Sequence, residues 1–171
     1  MTTPIVMLSL MIGPYLAALV LSAVLQRRFD ARNTAALGLA LLFTFTGIGH
    51  FVQTEPMTRM LPSWIPARIA VVYLTGILEL VIAVGFLLSK SRGLAGLVAS
   101  TMLILFFPAN VYAAVNHVPM GGHAWGPLYL LVRTPLQLIM LLWVYWFTLR
   151  PSGLQAASQV RSTALRHIDT V

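Results

Sequence analysis

The chain has 171 residues, of which 58% are hydrophobic and 9% are charged, with a formal net charge of +7 and no cysteine. Soluble domains carry about 25% charged residues, so this composition excludes a soluble protein and indicates an α-helical membrane protein with several spans. The lack of cysteine excludes thiol redox chemistry, disulfides and thiolate metal sites. Since most basic residues can be read as topology signals, the charge implies no nucleic-acid partner.

Five apolar segments are each long enough to cross the ~30 Å hydrocarbon core of a bilayer as a helix. They comprise residues 4–25, 34–54, 69–88, 93–115 and 128–150. A cleavable signal peptide is a poor reading of the first segment. No basic residue precedes it, and Arg27 and Arg28 follow where a small-residue cleavage site would lie. The sequence therefore predicts five transmembrane helices, all with the lipid bilayer as their surroundings.

Two loops and a tail separate or follow these helices. Residues 55–66 form a twelve-residue loop with three prolines, in which Met60, Leu61, Trp64 and Ile65 suit the level of the lipid headgroups. Residues 116–127 form a second loop that is uncharged when its histidines are neutral. Residues 151–171 are polar and basic, which predicts a flexible cytoplasmic tail.

The basic residues outside the spans are strongly biased to one side of the membrane. Eight would lie on the side of the tail, and two, Arg59 and Arg68, on the other. The eight are Arg27, Arg28, Arg32, Lys90, Arg92, Arg150, Arg161 and Arg166. By the positive-inside rule, the N-terminus faces outward and the tail faces the cytoplasm of a bacterial inner membrane.

Glu79 lies near the middle of the third apolar segment, where a carboxylate costs roughly 2.5–3.5 kcal/mol on insertion scales. It therefore needs a partner, a proton or a cavity. Counting along the helices places five polar residues in the middle-to-outer part of the membrane: His50, Glu79, Asn110, Arg133 and Gln137. We expect them to face one another as a ligand-binding site, with Arg133 as the partner of Glu79.

Each of these residues also has a purely structural interpretation. An Arg133–Glu79 pair would hold helices together, His50 would bond a neighbouring carbonyl, and Asn110 would cap the helix break at Pro108. Pro108 and Pro135 each remove a backbone N–H, and we expect them to disturb their helices near Ile104 and Leu131. A metal site is disfavoured because the ligands are too few. No residue set suggests a catalytic nucleophile.

Several motifs in fixed order carry a family resemblance. They are FTGIGHF (45–51), LPSWIP (61–66), YLTGILELVIAVGFLL (73–88), FFPANVYAA (106–114) and RTPLQLIMLLWVYW (133–146). Over residues 34–147 this order resembles the DoxX-like family of small bacterial membrane proteins. The resemblance implies a four-helix bundle over residues 34–150, preceded by an additional helix within residues 1–33. It further implies a signature at Gly49, His50, Pro62, Pro66, Gly76, Glu79, Pro108, Asn110, Arg133 and Gln137.

Some DoxX-like proteins are membrane subunits of thiosulfate:quinone oxidoreductases, and others belong to membrane systems linked to oxidative stress. The resemblance thus implies an accessory subunit of a redox or quinone-linked system, not an enzyme on its own, with a membrane protein partner or a homo-oligomer. A quinone headgroup would accept hydrogen bonds from Arg133, His50 and Gln137, while Glu79 exchanges a proton. Two alternatives remain open: a non-catalytic assembly factor, and a small proton-coupled transporter, against which stands the lack of polar residues in the inner half.

Overall fold

The computed structural model describes residues 2–26, 28 and 30–150 of the chain. The predicted flexible tail lies outside these residues. Within them the chain forms helices and turns and contains no β-strand. Five helices are long and apolar enough to cross a membrane, which confirms the all-helical prediction with five candidate spans.

The helices follow the predicted segments closely. They are α1 (Thr2–Leu25), α2 (Ala31–Val52), α3 (Thr54–Arg59), α4 (Arg68–Leu87), α5 (Arg92–Val115) and α6 (Leu130–Val144). A 3₁₀ helix with a kink at Gly126, His123–Tyr129, leads into α6, and a π-helical turn, Tyr145–Leu149, continues it. The short α3 falls in a stretch for which the sequence predicts only a loop. The one proline within this helix, Pro56, lies in the first turn, where a helix does not need the backbone N–H. It therefore does not interrupt α3.

The two ends of the bundle are built from different connections. At one end, the basic end, lie Arg28, Arg32, Lys90, Arg92 and Arg150, of which Arg92 donates a hydrogen bond of 2.8 Å to the side chain of Asn33. At this end Asp30 caps α2 by accepting the Asn33 N–H at 3.0 Å. The other end, the loop end, is built by α3, the turns at residues 60–67, residues 116–129 and the first turns of α1.

Helices α2 and α4 form the closest contact of the bundle, and two glycines allow it. A Cβ atom on Gly76 would lie 2.7 Å from the Cβ of His50 and 3.2 Å from the carbonyl oxygen of Gly47. A Cβ atom on Gly47 would lie 3.2 Å from the carbonyl oxygen of Gly76. Small residues permit such backbone approach between helices in membranes. The face of α4 that carries Gly76 and Glu79 therefore meets α2.

An apolar core fills the half of the bundle toward the basic end. Its largest buried side chains include Leu39, Phe43, Phe86 and Met140, and the rings of Phe43 and Phe86 lie 5.6 Å apart. Helix α1 takes part in this core through Met7 and Met11, both buried. Interior packing in membranes relies on such contacts, since lipid tails are as apolar as the side chains.

Substituting Gly38 tests the contact between α1 and α2. A Cβ atom on Gly38 would overlap the backbone carbonyl of Met11, whereas one on Gly13 would meet nothing within 4 Å. We expect Gly38→Ala to lower the free energy of unfolding by about 1–3 kcal/mol, as overpacking does. The matched variant Gly13→Ala should leave it unchanged or raise it by about 0.5–1 kcal/mol, because alanine favours helix. Denaturant titration in detergent micelles measures both, and equal effects would contradict the packing described.

Candidate functional site

A cavity of about 200 Å³ opens at the loop end of the bundle. We call it the loop-end cavity. Four of the five predicted site residues line it: His50, Glu79, Asn110 and Arg133. The remaining walls come from α1 to α5, the turn after α3, the loop after α5 and the 3₁₀ helix. They include Thr3, Met7, Thr46, Met57, Met60, Leu61, Val71, Val72, Thr75, Phe106, Ala109, Met120, Gly121, His123 and Tyr129. Four residues that the sequence places at a similar depth therefore line the same cavity.

Glu79 is paired with His50, and the prediction of Arg133 as its direct partner is wrong. The His50 Nε2 lies 3.6 Å from the Glu79 Oε1, and both side chains are nearly buried. The close approach at Gly76 explains this pairing, because Gly47 and His50, like Gly76 and Glu79, are three residues apart and share a helix face. The helix contact therefore brings both polar groups to the same depth.

Hydrogen bonds fix the tautomer of His50. Its Nδ1 lies 3.0 Å from the carbonyl oxygen of Val72, which can only accept, so Nδ1 carries a hydrogen. The Thr75 hydroxyl lies 3.1 Å from the same nitrogen and 2.9 Å from the Val72 carbonyl. The His50 Nε2 then faces Glu79 either as a bare acceptor or as part of a charged imidazolium.

Arg133 lies in the cavity wall without a direct contact to Glu79. Its Nη1 lies 3.8 Å from the sulfur of Met7, a weak acceptor, and its Nε has no hydrogen-bond partner among the described residues. The Glu79 charge still acts on the Arg133 guanidinium through space. A guanidinium in an apolar environment with so few partners retains most of its hydrogen-bonding capacity for another molecule.

Asn110 and Gln137, which were predicted to bind a ligand, both form hydrogen bonds to backbone carbonyls of α5. The Asn110 amide donates to the Phe106 carbonyl at 2.9 Å, one turn back in α5, while the residue lines the cavity. The Gln137 amide donates across to the Leu103 carbonyl in α5, and the residue is not part of the cavity wall. Gln137 therefore joins α6 to α5 and is not placed to bind a ligand there. Helix α5 continues through Pro108 from Arg92 to Val115.

His123 and Tyr129 are cavity residues that the sequence argument missed. Gly121 and Gly122 both adopt positive φ angles, 60° and 109°, a conformation that glycine adopts readily. This turn folds the loop inward, so that His123 is buried with its ring 4.7 Å from that of Tyr129. The adjacent glycines were the available signal, but they indicate a turn without revealing which neighbouring side chain it buries.

Methionines form much of the apolar wall. Met7, Met57, Met60 and Met120 come from four different segments and all line the cavity. Met60 and Leu61 line the cavity, whereas Trp64 from the same stretch is 79% exposed, and their depth at the headgroup level stays a prediction. Methionine is flexible and polarisable, so such a wall adapts its shape to an apolar ligand.

The cavity walls combine three chemical capacities. The His50–Glu79 pair places an imidazole beside a carboxylate, the Arg133 guanidinium supplies hydrogen-bond donors, and the methionines supply apolar surface. In the described part of the chain no group of three or more histidine and acidic side chains is arranged to hold a metal ion. The site is thus suited to binding a small amphiphilic molecule.

Comparison with known proteins identifies a family. A model of a domain of unknown function, DUF8561, matches residues 39–148, which is more than half of the chain. The chain belongs to the DUF8561 family. No curated protein and no solved structure matches the chain. The DUF8561 match includes His50, Glu79, Asn110 and Arg133 but starts after α1, and the resemblance to DoxX-like proteins stays a prediction.

A double-mutant cycle tests the His50–Glu79 pair. We expect His50→Asn, which keeps a donor toward Val72, and Glu79→Gln to show a coupling of about 0.5–3 kcal/mol in the free energy of unfolding. The control cycle uses Glu55→Gln and Arg59→Gln, because that pair is mostly exposed. Exposed pairs at this helical spacing couple by about 0.3–0.5 kcal/mol. Unfolding in detergent micelles gives both values, and a buried coupling no larger than the exposed one would refute the pairing.

Proposed function

We propose that this protein is an integral membrane accessory subunit of a redox or quinone-linked membrane system, and that its loop-end cavity binds a quinone-type headgroup. The single observation that carries the proposal is the combination of Arg133, the His50–Glu79 pair and an apolar methionine wall around one cavity. Ligand sites are mostly apolar with a few convergent polar groups, and this cavity fits that description.

The size of the cavity favours a small ring over a larger molecule. Sites for drug-sized ligands enclose roughly 300–1,000 Å³, and this one encloses about 200 Å³. A single six-membered ring with oxygen substituents matches the space and the polar groups together. The apolar tail of such a molecule would leave through the lipid-facing side of the bundle, where it costs nothing to expose.

The apolar core below the cavity argues against the transporter alternative. Phe43, Phe86 and Met140 are buried between the cavity and the basic end, and the polar groups described above stay at the loop end. A solute or proton that crossed the bundle would have to pass this core, whose buried members are all apolar side chains. The assembly-factor alternative remains, and like our proposal it requires a partner protein.

The family likeness and the topology complete the proposal. The helices α2 and α4 to α6 form a DoxX-like bundle in a bacterial inner membrane, with the loop end outside and the basic end in the cytoplasm. Supporting this, the described basic end carries Arg28, Arg32, Lys90, Arg92 and Arg150, whereas the loop end carries Arg59 and Arg68 beside the acidic Glu55. The loop-end cavity then faces the extracytoplasmic half of the bilayer.

Substitution of Arg133 tests ligand binding. In lipid nanodiscs, a short-chain ubiquinone should bind the wild-type protein. Arg133→Gln should raise the dissociation constant about 10–100-fold, because a charge-assisted hydrogen bond is worth roughly 1.5–3 kcal/mol. Arg59→Gln, at an exposed arginine of the same end, should leave it unchanged. Isothermal titration calorimetry measures the constants. No binding by wild type, or equal binding by all three proteins, would remove the quinone proposal.

Cysteine labelling tests the orientation, since the natural chain has no cysteine. Ser63 lies in an exposed turn at the loop end and Ser89 in an exposed turn at the basic end. A membrane-impermeant maleimide added to intact spheroplasts should label Ser63→Cys and should reach Ser89→Cys only after lysis. The reverse pattern would invert the topology and place the cavity on the cytoplasmic side.

A further inference from the structure

Three residues of the loop-end cavity have a buried polar atom that lacks a hydrogen-bond partner among the described residues. These atoms are the Glu79 Oε2, the His123 Nε2 and the Arg133 Nε. Buried polar atoms are normally paired, because leaving one unpaired costs the desolvation of that group. Three unpaired atoms around one cavity therefore describe the hydrogen bonds that a bound molecule would have to supply.

Glu79 offers an acceptor at the oxygen that is turned away from His50. The oxygen nearer to His50 is Oε1, which lies 3.6 Å from the His50 Nε2. In the ionised carboxylate Oε2 only accepts, and in an acid with its hydrogen on Oε1 it is the carbonyl oxygen and again accepts. In both of these states Oε2 calls for a donor from the bound molecule.

His123 offers a second acceptor. Its Nδ1 lies 2.8 Å from the carbonyl oxygen of Met120, so Nδ1 carries a hydrogen and donates it. In the neutral ring Nε2 then bears a lone pair and no hydrogen. A second proton would place a charged imidazolium beside the Arg133 guanidinium in a site with few counter-charges. The buried Nε2 therefore accepts a hydrogen bond and does not donate one.

Arg133 offers only donors, since a guanidinium has no acceptor atom. The cavity thus needs a molecule that donates two hydrogen bonds, to Glu79 and His123, and accepts one, from Arg133. Tyr129 can both donate and accept through its hydroxyl, so it does not alter this requirement. A quinone ring has two carbonyl oxygens, which only accept. A hydroquinone ring has two hydroxyl groups, which donate and still accept.

We infer that the loop-end cavity binds the reduced, dihydroxy form of an aromatic headgroup in preference to the oxidised, dicarbonyl form. This inference rests on the proposed function, and it adds the redox state that the site selects. The oxidised form would place its oxygen lone pairs against those of Glu79 and His123 and leave both acceptors unpaired. With two hydrogen bonds at stake, the expected preference is about 10–100-fold.

The experiment compares both redox forms of one probe. Ubiquinone with a single isoprenoid unit and its hydroquinone are titrated under anaerobic conditions into full-length protein in nanodiscs, with calorimetric detection. We expect a dissociation constant about 10–100-fold lower for the hydroquinone, which raises the midpoint potential of the bound couple by about 30–60 mV. This comparison uses the wild-type protein alone, so it does not depend on the folding of any variant.

One variant then locates the preference. His123→Asn keeps an amide donor where Nδ1 donates to Met120 but deletes the Nε2 acceptor, so the preference should fall about tenfold. The control is His117→Asn, at an exposed histidine of the same loop whose positive φ of 52° asparagine tolerates. It should keep the wild-type preference. A preference unchanged in His123→Asn would overturn the assignment to His123.

The outcomes separate this inference from the proposed function. Equal binding of both redox forms, weakened by Arg133→Gln, would overturn the selectivity for the reduced form and leave the headgroup site standing. Tighter binding of the oxidised form would overturn the selectivity as well. Absence of binding for either form would overturn both proposals together.

Discussion

The site depends on the backbone contact between α2 and α4. A Cβ atom added to Gly47 would lie 3.2 Å from the carbonyl oxygen of Gly76, and one added to Gly76 would lie 2.7 Å from the Cβ of His50. Because His50 and Glu79 each lie three residues from one of these glycines, the contact that packs the helices also brings the imidazole and the carboxylate together. No larger residue at either glycine allows both arrangements, so packing and site chemistry have one origin.

The buried charges are compensated in an uneven way. Glu79 has His50 at 3.6 Å, whereas Arg133 has only the Met7 sulfur at 3.8 Å and the Glu79 field through space. Removing a charge from water costs several kcal/mol unless partners replace the lost hydration. Of the two groups the Arg133 guanidinium has the weaker local partner, so a positive field extends from it into the cavity. Such a field favours an electron-rich oxygen in the cavity.

The sequence was sufficient for the spans and for the depth of the polar residues, because both follow from helical rise and from the cost of charge in lipid. It could not rank the partners of Glu79. The depth of a residue does not determine how its helix is rotated about its own axis. That rotation is set by packing at Gly47 and Gly76, which turns His50 rather than Arg133 toward Glu79. Rotation also turned Gln137 to the α5 backbone.

His123 was beyond sequence reasoning for a different reason. Loops of membrane proteins usually face water, and nothing in the composition of residues 116–127 marks one histidine as buried. The burial depends on two consecutive positive φ angles at Gly121 and Gly122, which reverse the chain toward the bundle. A turn of this kind is local, but the side chain that it buries depends on the helices already assembled beneath it.

Helix α1 gives the site a feature that the family match does not include. The DUF8561 match begins at residue 39, yet Thr3 and Met7 line the cavity, and the Met7 sulfur lies 3.8 Å from the Arg133 Nη1. Met11, buried against Gly38, holds α1 in this position. A thioether is a weak acceptor, so it covers the guanidinium without satisfying it. The added helix therefore excludes lipid and water from Arg133 while leaving its hydrogen-bonding capacity for a ligand.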